Sequence, residues 1–355
     1  MNRSRIARVL AVTLLTVAAP GPGAAPPVEA QSSQPESWTV PRTLDGQPDL
    51  QGVWANNTAT PLERPEILGD KAELTDEELA RVQARYAELF ASGESDAAFA
   101  DSVFVAALGD QDSFSSRDAA TGNYNQFWLV DRDFDNRTSL VIDPPNGRLP
   151  PFTPEAERQR EARIAHLADN PASSWTDRRL QERCITFGMP NLFAGYNTYY
   201  QIIQTPGHVV FLHEMIHDAR IIPLDGPPHV DDAIRQWHGD ARGRWEGDTL
   251  VVETTNFSPR SESPAALYQR TRGSAQQLRL VERFTRVGPD TLQHEFTVED
   301  PGTYAGNWTA MIPLSRKDEA LFEYACHEGN IGMEGILAGH RAEEREAEAA
   351  AAGAR

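Results

Sequence analysis

Positive charge is scarce in this chain. Lys and Arg number 33 against 52 Asp and Glu, a formal net charge of −19 at pH 7. A surface this acidic repels phosphate backbones and anionic lipid heads, so nucleic-acid and membrane-surface binding are poor hypotheses. Long apolar runs are missing after the first thirty residues, so no later segment is expected to insert into a membrane. No nucleophile elbow, phosphate loop or dinucleotide fingerprint is present, which disfavours ATP, NAD and flavin chemistry. No internal repeat of fixed period is found either. Only two cysteines occur, Cys184 and Cys326. In an oxidising compartment such a pair is expected to form one structural disulfide. The alternative gives Cys326 a metal or nucleophile role beside His327.

What is present begins with an export signal. Arg3, Arg5 and Arg8 form a positive head, and Val9 to Ala19 is an apolar stretch too short for a membrane span. Helix-breaking Pro20 follows, and Val28-Glu29-Ala30 places small residues at the two sites a signal peptidase reads. Cleavage before Gln31 is the expectation, and no cysteine lies nearby to carry a lipid anchor. Residues 1–30 hold three Arg and one Glu, so their removal takes the net charge from −19 to −21. A periplasmic or secreted protein is therefore expected.

Residues 31–196 read as an irregular arm with two helices, packed on a larger domain. Thr75 and Glu78 have capping-box spacing, and Leu79, Val82, Tyr86 and Leu89 give the first helix one apolar stripe. The second opens at Thr153-Pro154, with proline in the first helical position, and runs to about His166. Residues 92–124 read as a loop, and Leu140–Asp143 as a short strand closed by turn residues.

From Asn197 the texture changes to short β-branched segments separated by turn signals. Strands are predicted at 198–205, 208–217, 219–224, 248–257, 276–287, 291–299, 307–314 and 320–327. The fold class is mainly β. Residues 197–340 are expected to form an eight-stranded antiparallel barrel of the lipocalin type, with a β-sandwich as the alternative. Residues 341–355 read as a disordered Ala/Glu tail.

His213-Glu214-Met215-Ile216-His217 matches the H-E-x-x-H pattern of zinc hydrolases, which works only on a helix. The flanks are β-branched and closed by Pro223, so a strand is predicted. Residues four apart in a strand lie ~13 Å from each other, too far for one ion. Zinc bound by His213 and His217 is retained as the alternative to a cofactor-free protein.

Period-2 alternation is the better guide. Glu282 shares a face with Leu278, Leu280 and Phe284, and His294 with Leu292, Phe296 and Val298. If those faces point inward, a carboxylate and an imidazole from neighbouring strands enter the interior, where burial moves both pKa values towards the range of proton transfer. A hydrogen-bonded core pair is the plainer reading. Glu214, His217 and Arg220 bracket a predicted hairpin bend and form a second polar cluster. The loop predicted over His238–Asp248 carries Arg242, Arg244 and Trp245, suited to an anionic or carbonyl ligand or to a salt-bridged rim. His327 and Glu328 follow Cys326 and are either functional or merely next to a structural cysteine.

Four stretches carry a resemblance: Pro48–Trp54, Glu214–Gly226, Gly239–Phe257 and Tyr324–Asn330. The chain resembles an uncharacterised family of exported bacterial proteins, and the pattern of that family begins at Glu214 without requiring His213. The resemblance implies export and carries no activity. The sequence is thus expected to encode an exported barrel handling a small organic molecule. Cofactor-free acid–base chemistry of the lyase, isomerase or hydrolase kind is the first reading. Glu214, His217 and Arg220 are the first catalytic candidates, Glu282 and His294 the next. Binding without chemistry and zinc-dependent hydrolysis are the alternatives.

Overall fold

The computed structural model describes residues 38–99, 101–115, 124–224, 226, 228–265 and 275–353. The predicted signal segment lies outside these residues. The arm contributes strands β1 (Gly52–Ala55) and β2 (Val141–Asp143) and helices α1 (Asp76–Phe90), α2 (Ser102–Leu108) and α3 (Pro154–Asp169). Thr75 and Glu78 close the capping box of α1, and the Thr153 hydroxyl accepts from the Ala156 amide at the start of α3. Helix α2 falls where a loop was expected. It forms because Val103, Phe104, Ala106 and Ala107 bury one side of a single short helix against α1 and its surroundings.

The remaining strands are β3 (Tyr199–Thr205), β4 (His208–His213), β5 (Ala219–Pro223), β6 (Asp240–Glu246), β7 (Thr249–Thr255), β8 (Arg279–Arg286), β9 (Thr291–Glu299) and β10 (Trp308–Lys317). They join β1 in one antiparallel sheet of order β5-β4-β3-β1-β10-β9-β8-β7-β6, with β2 also paired to β10. The expected eight-stranded closed barrel is corrected to a ten-stranded sheet that does not close, and it is one sheet, not the two of a sandwich. Two of its strands come from the arm. β1 and β2 share one edge of β10, β1 against Ser315–Lys317 and β2 against Thr309 and Ala310.

Strict alternation builds the interior. Leu280, Glu282, Phe284 and Arg286 of β8 are buried, as are Leu292, His294, Phe296 and Val298 of β9 and Trp308, Ala310, Ile312 and Leu314 of β10. The sheet curls until its two halves pack together: Phe211 of β4 meets Phe284 of β8 with ring centroids 4.6 Å apart. Each fully buried aromatic or aliphatic side chain here contributes roughly 1.5–3 kcal/mol. The two edges lie close together, and among the described residues one parallel bridge, between Leu224 and Gly243, joins them without a ladder. A Cβ at residue 243 would lie 2.8 Å from Leu224 Cδ2 and 2.9 Å from Ile222 Cγ2, so any larger residue there must push these side chains aside.

Three local expectations are corrected. His238–Asp248 is no loop, since Asp240–Glu246 pairs along its length with β7. Its exposed charges and glycine hide the strand pattern. Residues 320–327 form no strand; they run as an irregular strap tied down by side chains described below. The tail is helical, α4 (Gly332–Gly353). Its Ala and Glu residues favour helix without any burial, and none of its residues is buried. Arg341 Nη1 donates to the Ser173 carbonyl at 2.8 Å. The disulfide expected between Cys184 and Cys326 is present, joining positions 142 residues apart.

Candidate functional site

The site is built around one side chain that crosses the molecule. Arg220, on edge strand β5, reaches through the interior to β8 and β7. Its Nη1 donates to Glu282 Oε1 at 3.1 Å and its Nη2 to Glu282 Oε2 at 2.5 Å, while Nη2 also donates to Thr254 Oγ1 at 3.2 Å. His294 Nε2 lies 3.1 Å from Glu282 Oε1. Burial alone would raise the Glu282 carboxyl, but the Arg220 charge and the His294 hydrogen bond outweigh it and hold the group down at about 2. An ionised carboxylate only accepts, so His294 carries its proton on Nε2. The ring of His294 stacks on Phe284 at 4.3 Å, which fixes its plane. The pair suggested by alternation, Glu282 and His294, is thus brought together, with Arg220 as its third member.

The outer face of this network opens into a cleft. Its walls are Thr186, Phe187, Gly188, Met189 and Asn191 on one side, and His213, Met215, Asp218, Arg220 and His238 on the other. The cleft is narrow: the volume open to a ligand is about 10 Å³, room for about one water molecule, and the non-protein space with the open mouth included is about 250 Å³. His213 Nε2 and Arg220 Nε are both buried without a hydrogen-bond partner. Unmet polar atoms of this kind are uncommon in native interiors. Burial, reinforced by the nearby Arg220 charge, lowers His213 to about 3 and His238 to about 4, so both imidazoles are neutral at pH 7. Asp218 moves the other way: burial raises it to about 6, against the pull of His217. His238 Nε2 stands 2.8 Å from Thr186 Oγ1 and 3.3 Å from Asp218 Oδ2. In a nucleophile–base–acid relay the hydroxyl and the acid occupy opposite ring nitrogens. Here both share Nε2, so Thr186 is not arranged as a relayed nucleophile.

The H-E-x-x-H segment forms the rim, and it is neither the helix of the zinc motif nor the continuous strand expected over 208–217. β4 ends at His213, and Met215–His217 makes one tight turn in which Ile216 and His217 adopt left-handed backbone, with φ of 63° and 46°. For a β-branched residue such as Ile216 this conformation is costly, of order 1–3 kcal/mol, and is retained only where the surroundings impose it. The surroundings do so: the His213 amide donates to the Asp218 carbonyl at 2.8 Å and the Glu214 amide to the Tyr199 carbonyl at 2.9 Å. Among the described residues no group of three His, Cys, Asp or Glu side chains is placed to hold a metal ion.

Glu214 and His217 do not line the cleft and instead bond to the strap. Glu214 Oε1 accepts from the Phe322 amide at 3.2 Å, and His217 Nδ1 donates to the Tyr324 carbonyl at 2.9 Å. Two residues further on, Cys326 bonds to Cys184, at the start of the loop that supplies the cleft's other wall. Bend, strap, disulfide and loop therefore form a covalent and hydrogen-bonded circuit around the cleft. His327 and Glu328 sit exposed in the turn after Cys326.

Arg242 and Arg244 belong to β6. Arg242 Nη1 is paired with Asp240 Oδ1 at 2.6 Å, and Arg244 Nη2 with Glu246 Oε1 at 2.7 Å. Trp245 packs half-buried against the core. These three do not line the cleft. Asp218, His238 and Thr186 do, and sequence reasoning missed them as site residues. Asp218 was legible only as a neighbour of His217, and His238 only as the start of a polar stretch.

Comparison with protein-family models, with curated proteins and with solved structures finds no match to the chain in any of the three. Any functional reading therefore stands on the geometry.

Proposed function

We propose that the protein is exported and acts on a small carbonyl- or carboxyl-bearing molecule whose oxygen enters the cleft beside Arg220, by proton transfer without a bound cofactor. The observation that carries this reading is that His213, Asp218 and Arg220 line one cleft, with His213 Nε2 and Arg220 Nε buried beneath it without a hydrogen-bond partner. A ligand oxygen that reaches these nitrogens, with a small shift of the side chains over them, supplies the partner each lacks. Asp218, held near 6, is ionised for the most part at pH 7 yet basic enough to take a proton. Arg220 supplies a fixed positive charge to a developing oxyanion. Glu282 and His294 hold Arg220 in place, and Glu214 and His217 hold the wall, so these four are positioning residues. The disulfide supports an oxidising, exported location, and among the described residues no helix is long and apolar enough to cross a membrane.

A carrier role is the second reading. It is favoured by His213, which at about 3 is too weak a base for proton transfer and serves better as a hydrogen-bond partner. The test is a screen of small hydroxy acids, keto acids, esters and lactones, monitored for both binding and turnover. Under the enzyme reading Asp218→Asn lowers kcat by roughly 10²–10⁴ with little change in affinity, and the pH profile of the wild type rises through about 6. Binding without turnover supports the carrier. A hit whose binding and turnover survive both His213→Phe and Asp218→Asn places the site elsewhere.

A further inference from the structure

A second cleft lies apart from the Arg220 network and has a different chemistry. It is lined by Phe99, Tyr124, Trp128, Leu129, Tyr196, Asn197 and Tyr324, and offers about 260 Å³. Drug-sized ligand pockets start at about 300 Å³, so this one suits a single ring. Two of its walls are unusually open for such side chains: Tyr124 is 65% exposed and Trp128 64%. Large aromatic side chains gathered on one surface mark binding sites more often than they mark chance.

The polar groups decide which ring. Three phenols converge on this cleft. The Tyr196 hydroxyl is raised to about 12, first by burial and then by Tyr324 and Tyr124 beside it. Asn197 adds a side-chain amide at a residue with φ of 47°, a left-handed conformation that asparagine tolerates better than most residues. Among the described residues no Asp, Glu, Lys, Arg or His lines the cleft. A purely apolar ring would make no use of the Tyr196 and Tyr324 hydroxyls or the Asn197 amide, and a quaternary ammonium would use the aromatic faces alone. A neutral sugar ring uses both features, its C–H face on the aromatic walls and its hydroxyls on the phenols and amide.

We infer that the cleft between Trp128, Tyr196 and Tyr324 is a binding site for one neutral pyranose unit, free or at the end of a glycan. The back wall is rigid: Phe99, Phe193 and Tyr196 contact one another with ring centroids 5.0 to 6.2 Å apart. The Tyr324 wall is fixed through its carbonyl by His217. The site shares no lining residue with the Arg220 cleft, and the inference does not rest on the function proposed there.

The test is calorimetric titration of the full exported chain with glucose, galactose, cellobiose and maltose, beside benzyl alcohol and tetramethylammonium chloride as competitors for the same walls. At least one saccharide is expected to bind, with Trp128→Ala weakening it about tenfold or more and Tyr196→Phe about threefold to tenfold. Circular dichroism confirms that both variants fold; Trp128, being exposed, is expected to be removable without loss of structure. The inference is overturned if no saccharide binds, if binding is indifferent to Trp128→Ala, or if benzyl alcohol or tetramethylammonium binds there in preference to every sugar.

Discussion

Arg220 and Glu282 face each other across a curled sheet, joined by two hydrogen bonds of 3.1 and 2.5 Å, from an edge strand to one near the opposite edge. Glu282 is 1% exposed. Breaking a buried pair from one side strands the other charge, which costs about 3–5 kcal/mol. Glu282→Leu is therefore expected to lower unfolding stability by that amount in urea titration. The double variant Arg220→Met/Glu282→Leu should recover most of the loss, because neither charge is then left buried. If the double variant is no more stable than the single one, the pair matters for something other than charge compensation.

Acid sensitivity follows from three groups of known sign. Glu282 falls from an ordinary 4.5 to about 2 on folding, so its contribution is complete above 4.5 and disappears as pH drops to about 2. His213 and His238 fall from 6.5 to about 3 and about 4. The unfolded chain then binds protons that the folded chain refuses, and stability declines as pH drops below 6.5. Asp218, raised from 3.8 to about 6, acts in the opposite sense and offsets part of this between those values. Unfolding midpoints measured from pH 7.5 to 4 should fall, and His213→Phe should flatten the slope. An unchanged slope would mean that His213 is protonated in the folded state.

The disulfide closes a loop of 142 residues and ties the strap to the cleft wall. Cys184→Ser/Cys326→Ser is expected to cost about 2–5 kcal/mol. It should also move the imidazole resonances of His213 and His238, because Thr186 and Met189 follow Cys184 directly into the cleft. Lost stability with unmoved resonances would show that the strap does not support that wall.

Gly243 permits the close approach of the sheet's two edges. Gly243→Val should cost about 1–3 kcal/mol through overpacking against Leu224 and Ile222, and Gly243→Ala less, since the ends of both side chains can yield. Equal stability of all three proteins in thermal melts would mean the edges separate freely.

Much of the local structure was legible. The capping residues Thr75 and Thr153, the inward faces of Glu282 and His294, and the bond between Cys184 and Cys326 all follow from spacing, period or composition. Misreadings came where local signals pointed away from the tertiary outcome. Asp240–Glu246 looks like a loop because its charged residues and glycine break the apolar alternation of a strand, yet β7 offers it a full ladder. Residues 320–327 look like a strand, but their backbone partners are the side chains of Glu214 and His217.

Alternation states which face of a strand a residue occupies, because side chains on an extended chain point to opposite sides by covalent geometry. That much belonged to the sequence alone: Glu282 and His294 on one apolar face, His213 outside any helix. Which groups meet across the interior was decided by the curl of the sheet and the order of its strands. Pairing Arg220 with Glu282, and gathering Asp218, His238 and Thr186 around His213, depends on contacts between distant segments that no local period encodes.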